Sequence, residues 1–173
     1  MLDSTKIKLR PLQEADTELI VKWRNSDQVK ENFIFQDLLT PEQHQWWFTN
    51  RVQTGQVAQF IIISIETGRP VGSVYLRDID RKHKKCEYGI FIGEDEARGK
   101  GYGTEAARMI CNYGFTTLGL HRIFLRAFAH NEQAIRSYEK AGFVQEGRLK
   151  DEVCFENIYY DVIIMAQINP NEV

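Results

Sequence analysis

The period of apolar and polar positions changes several times along the chain. Residues 6–10 alternate and stop at Pro11, the pattern of a short strand. Over residues 14–25, Ala15, Leu19, Ile20 and Trp23 recur at helical spacing. Thr40-Pro41-Glu42-Gln43 reads as an N-cap with proline in the first helical position. Residues 45–52 continue as a helix with Trp46, Trp47 and Phe48 on it. Two adjacent tryptophans cannot share one helix face, so one of them is expected to meet solvent, substrate or a partner subunit. Residues 57–65 are rich in β-formers, Gly68-Arg69-Pro70 turns the chain, and residues 71–77 return as the second arm of a hairpin.

Residues 84–92 form the next predicted strand, and a glycine-rich turn then leads into a helix over 104–117 that Gly119 closes. A strand over 121–128 follows. Asn131 is placed to cap a helix over 132–141, which Gly142 ends. Residues 144–149 and 153–165 are the last two predicted strands. Strands dominate early and strand–helix alternation comes late, so the class is mixed α/β. Neither a repeat nor a linker is visible, and one domain over residues 1–173 is expected.

Composition narrows the function classes. The chain has 173 residues, 43% hydrophobic and 27% charged, which argues for a folded core. A net charge of −2 gives no global attraction to nucleic acid or to an anionic membrane. The first residues lack a signal-peptide core and no apolar run is long enough to span a bilayer. Cys86, Cys111 and Cys154 are odd in number and widely spaced, as reduced thiols of a cytoplasmic protein are.

The candidate chemistry starts at Arg98-Gly99-Lys100-Gly101-Tyr102-Gly103-Thr104. The run follows a strand and opens a helix, so backbone N–H groups and a helix N-terminus converge, as at sites that hold a phosphate or pyrophosphate. The dinucleotide fingerprint fails because Thr104 stands where its last glycine belongs. The Walker pattern fails because Gly93 and Gly99 are one residue too far apart and Gly101 follows Lys100.

The pattern of arginine, two residues, glycine, one residue, glycine resembles the acyl-CoA pyrophosphate loop of the GNAT superfamily of N-acetyltransferases. The segment from Asn131 through Tyr138 to Gly142-Phe143 is similar to the second half of that family's signature. Within the family, Lys8-Leu9-Arg10-Pro11-Leu12, Trp23-Arg24-Asn25 and Asn112-Tyr113-Gly114-Phe115 resemble the branch of ribosomal-protein N-terminal and spermidine or diamine acetyltransferases. Acetyltransferases of nucleotide-linked amino sugars share the Trp-Arg-Asn start.

The resemblance implies a mostly antiparallel sheet of about seven strands with about four helices, whose central parallel strands splay. It also implies transfer of acetyl from acetyl-CoA, with no metal, to a primary amine by direct attack in a ternary complex. The acceptor would be a protein N-terminus or a small amine, with a polyamine or an amino sugar as alternatives. The weak acidity of the Gln36-Asp37-Leu38 segment counts against a polyamine. A non-catalytic CoA-binding module is the rival of another class. The other expected partner is a further copy of the chain, in a homodimer or higher homo-oligomer.

By the same resemblance, the backbone of Arg98, Gly99, Lys100, Gly101, Tyr102, Gly103 and Thr104 cradles the diphosphate. Phe91, Ile92 and Gly93 offer backbone to the pantetheine and the thioester carbonyl. Asn131 bonds the pantetheine or caps its helix, and Tyr138 is the general acid. Glu87 is the candidate base, against the alternative of an ion pair with Lys85 or Arg126; Asp37, Glu31 and Glu42 are further candidates.

Overall fold

The computed structural model describes residues 2–170. Among them are eight strands: β1 (Leu2–Asp3), β2 (Ile7–Pro11), β3 (Ala58–Ser64), β4 (Pro70–Asp80), β5 (Lys85–Ile92), β6 (Arg122–Phe128), β7 (Val144–Phe155) and β8 (Ile158–Ile168). Five α-helices accompany them: α1 (Thr17–Asn25), α2 (Asp27–Lys30), α3 (Pro41–Trp47), α4 (Tyr102–Thr116) and α5 (Glu132–Ala141). One sheet runs in the order β1-β2-β3-β4-β5-β6-β8-β7. Every neighbouring pair is antiparallel except β5 and β6. The extra strand relative to expectation is the two-residue β1 at one edge, and the extra helix is the single turn α2.

Two apolar layers sandwich the sheet. Ala106, Ala107 and Ile110 of α4 and Ala141 of α5 pack with Ile62, Val74 and Leu76 on one face. Ile20 and Trp23 of α1, Val29 of α2 and Phe48 pack with Ile61 and Phe91 on the other. Neighbouring strand residues alternate between these layers, as pleating requires: Ile61 goes to one and Ile62 to the other. Thr40 caps α3 by accepting from the Gln43 N–H, with Pro41 at its start. The helix does not run straight to Val52; it loosens into a π turn over Phe48–Val52. Trp46 is 60% exposed, whereas the indole N–H of Trp47 donates to Gln59 Oε1 over 2.9 Å.

The last hairpin turns elsewhere than at residues 150–152, the break between the two predicted strands. Residues 150–152 lie inside β7, where the register with β8 shifts between Leu149 and Val153 and Asp151 has φ +52°. The turn is Glu156-Asn157, with φ +49° and +65°, the doubly left-handed conformation of a tight hairpin. β7 is an edge strand with mostly exposed side chains, so charged residues continue it as readily as apolar ones.

Candidate active site

The feature that positions the site is the short parallel pairing of β5 and β6. It covers only Lys85–Arg122, Cys86–Ile123 and Glu87–Phe124. Beyond Glu87 and Phe124 the strands diverge, and β5 keeps its antiparallel partner β4 as far as Ile92. The result is a V opening toward the C-terminal end of β5, where the glycine turn begins.

In that turn Gly99 and Gly101 have φ +74° and +82°. Such values strain any residue with a Cβ, and Gly101 is the N-cap from which α4 starts. A Cβ placed on Gly99 would meet nothing within 4 Å, so that backbone borders open space. The cationic side chains of the turn are already engaged. Arg98 Nη2 donates to the Ile92 carbonyl over 3.2 Å, and Lys100 Nζ lies 3.3 Å from Glu66 Oε2. The Tyr102 ring is buried, with its hydroxyl 3.0 Å from Ser64 Oγ. Thr104 Oγ1 lies 2.8 Å from Ser137 Oγ and ties α4 to α5. What the turn offers a ligand is therefore chiefly main-chain N–H groups and the N-terminus of α4.

A cavity of about 540 Å³ occupies the V. It is lined by Phe91, Ile92, Arg98, Gly99, Gly101, Tyr102, Gly103, Thr104, Asn131 and Tyr138 among the sequence-predicted residues, and by Glu31, one of the further candidate bases. Lys100 and Gly93 lie outside this lining. Gly93 has a packing reason to be glycine: a Cβ there would sit 2.2 Å from Trp23 Cγ. The cavity's size suits a large extended ligand. Residues that the pattern of the chain did not single out also line it, notably Gln28, Asn32, Phe33 and Ser137. Asn32 and Phe33 follow α2 in a segment without periodicity, so only the fold brings them there.

A second pocket, about 80 Å³, adjoins the first and shares Asn32, Phe33, Ile90, Asn131 and Tyr138 with it. Tyr138 thus stands where the two meet. Its ring packs edge-on against Tyr88, with centroids 5.8 Å apart, and against Phe143 at 6.2 Å. Burial raises the Tyr138 phenol above its ordinary pKa, and the nearby Tyr75 adds to the shift. A phenol so held stays protonated across the physiological range and can give up a proton but not act as a base. Asn131 performs two tasks: Oδ1 caps α5 by accepting from the Ala134 N–H at 3.2 Å, and Nδ2 donates to Asn32 Oδ1 at 2.9 Å.

Glu87 lines the second pocket and is buried. Its carboxylate is held in an ion pair with two arginines. Arg77 Nη2 lies 3.0 Å from Oε1 and Arg77 Nε 3.2 Å from Oε2, while Arg126 Nε lies 3.2 Å from Oε1. The arginine partner anticipated from the sequence, Arg126, is present; Arg77 was not anticipated. It pairs with Glu87 directly across β4 and β5, just as Tyr75 pairs with Gly89. A Cβ on Gly89 would come 2.3 Å from the Tyr75 ring, so glycine there makes room for that ring in the pocket. Asp37, Glu31 and Glu42 do not line this second pocket. Among the described residues no group of His, Cys, Asp and Glu is arranged to hold a metal ion.

Comparison with known proteins agrees with this geometry. The chain is 29% identical over 166 residues to the spermidine N(1)-acetyltransferase of Escherichia coli K12, covering 96% of this chain and 88% of that protein. A crystal structure of the spermidine N-acetyltransferase of Vibrio cholerae in complex with CoA and spermine superposes with a TM-score of 0.88 at 25% identity. That match covers 96% of this chain and 97% of the other. The Vibrio cholerae enzyme is also known as a dodecamer, which matches at a TM-score of 0.80. Residues 6–144 match the family described as the acetyltransferase (GNAT) domain, and the chain belongs to that family of acetyl-CoA-dependent N-acetyltransferases.

Proposed function

We propose that the chain acetylates the primary amine of a small molecule by direct attack within a ternary complex, with Tyr138 as general acid. The observation that carries this is the junction of the two cavities at Tyr138, one bordered by the glycine turn and the other by the charged pocket around Glu87. The thioester of acetyl-CoA supplies the activated acetyl group. The turn from Arg98 to Thr104 receives the diphosphate on its main-chain N–H groups. The stretch of β5 around Phe91 and Ile92 offers backbone donors to the pantetheine arm and the thioester carbonyl.

From the second pocket, the amine nitrogen forms its bond to the carbonyl carbon as the carbon–sulfur bond breaks. Glu87, directly or through water, takes the proton that the ammonium loses. Tyr138 donates its hydroxyl proton toward the departing sulfur. Tyr138→Phe is expected to lower kcat by roughly ten- to a thousandfold, with acetyl-CoA affinity little changed. An unchanged rate removes Tyr138 from the reaction.

We further propose that copies of the chain associate, as the Vibrio cholerae relative does. Val144, Ile158 and Tyr159 on the edge hairpin are exposed apolar side chains that a neighbouring copy would cover. A cytoplasmic setting suits the three free cysteines; burial pushes the Cys86 thiol up to about 12.

A further inference from the structure

The charge of the second pocket bears on the acceptor. Its charged lining residues are Arg77, Arg126 and Glu87, two cations against one carboxylate. A third guanidinium stands behind it. Arg24 lies 3.6 Å above the Phe33 ring, donates weakly to the Phe35 carbonyl at 3.4 Å, and is close enough to Arg77 for the two charges to oppose one another. Arg24 Nη1 is buried without a hydrogen-bond partner. Arg126 hydrogen-bonds Glu87 through Nε, and among the described residues its two terminal nitrogens make no side-chain hydrogen bond. Asp78 does not restore the balance: it is committed to Arg51 at 2.7 Å and stands 3.9 Å from Arg77.

Guanidinium groups that are partly desolvated and in excess over their counter-ions favour an incoming anion, and they suit planar or tetrahedral oxyanions. A polyamine, cationic along its length, meets like charge in this pocket. We infer that the acceptor is a small primary amine carrying a carboxylate or phosphate within a few bonds of its nitrogen, with Arg126 and Arg77 holding the anion beside Tyr138.

The same contact serves the chemistry. An oxyanion that draws both Arg126 and the Arg77 Nη2 toward itself loosens their hold on Glu87 Oε1, which then accepts the proton leaving the ammonium. An acceptor without an anion leaves Glu87 occupied by both arginines. This inference rests on the acetyl-transfer reading above and narrows its substrate class.

The test is a thiol-release assay on the full chain with acetyl-CoA and paired acceptors. 2-Aminoethyl phosphate and β-alanine represent the two anions, ethanolamine and propylamine are their neutral counterparts, and spermidine is the polycation. Expected is a kcat/KM for the phosphate or the carboxylate amine at least about tenfold above its neutral counterpart and above spermidine. The better of the two anionic arms identifies the anion. Arg126→Gln is expected to shrink that ratio about tenfold, and Arg126→Lys to keep part of it. A ratio is independent of how much of a variant is correctly folded.

A preference for spermidine or for the neutral amines, or a ratio unmoved in Arg126→Gln, overturns the inference while leaving acetyl transfer standing. Acetyl-CoA binding with no thiol released from any acceptor overturns both.

Discussion

Asn131 Nδ2 donates to Asn32 Oδ1 over 2.9 Å, joining the cap of α5 to the segment after α2 across the point where the two cavities meet. The same side chain caps α5 through its oxygen. The two roles separate by mutation. Asn131→Asp keeps the capping oxygen and loses the donor, so stability is expected to hold while the KM for acetyl-CoA rises. Asn131→Ala loses both and should also cost about 1 kcal/mol of stability. Thermal unfolding and steady-state kinetics on the two variants check the split.

The raised pKa of Tyr138 fixes the sign of a pH effect. A general acid works while protonated, and burial moves its loss of the proton above the ordinary value near 10. The kcat profile should therefore show no alkaline decline due to Tyr138 up to about pH 10. A decline centred near neutrality that disappears in Tyr138→Phe would contradict the assignment.

The parts of this site that were legible in the sequence are those with local causes. The glycine turn needs left-handed backbone, and Gly99 and Gly101 supply it. The α5 helix needs a cap and a stop, and Asn131 and Gly142 supply them. What the sequence did not reveal depends on contacts across long separations. Arg77 reaches Glu87 only because β4 and β5 pair in that register, and Asn32 reaches Asn131 only because the fold brings the segment after α2 to the start of α5, 99 residues away in sequence. The Glu156-Asn157 turn escaped notice because only Asn157 favours positive φ and Glu156, unlike a glycine, does not signal it.

Gly93→Ala is predicted to destabilise the fold by about 1–3 kcal/mol, the usual cost of overpacking. The new methyl would overlap the Trp23 ring. The ring has little freedom to retreat, since its N–H donates to Glu94 Oε1 over 2.7 Å and it packs against Phe91. Denaturant unfolding measures the loss.

His44 sets an acid limit to stability. It is 2% exposed, with Nδ1 2.9 Å from Thr17 Oγ1 and Nε2 without a partner. Burial lowers its pKa, partly offset by Asp16. The unfolded chain takes up this proton below about pH 6.5 while the folded one resists, so stability is full above that pH and falls as the pH drops toward the folded value. The melting temperature should decline as the pH falls below about 6.5, and less steeply in His44→Gln.

The brief pairing of β5 with β6 has a structural consequence of its own. A sheet that is unzipped through its middle presents strand edges to an interior slot, where flanking helices shield them from stray chains. In the proposed complex the cosubstrate fills this slot and so serves as the missing rib as well as the acyl donor. Resistance to heat and to proteases should rise and fall with acetyl-CoA supply, so that the enzyme's durability tracks the metabolite it consumes.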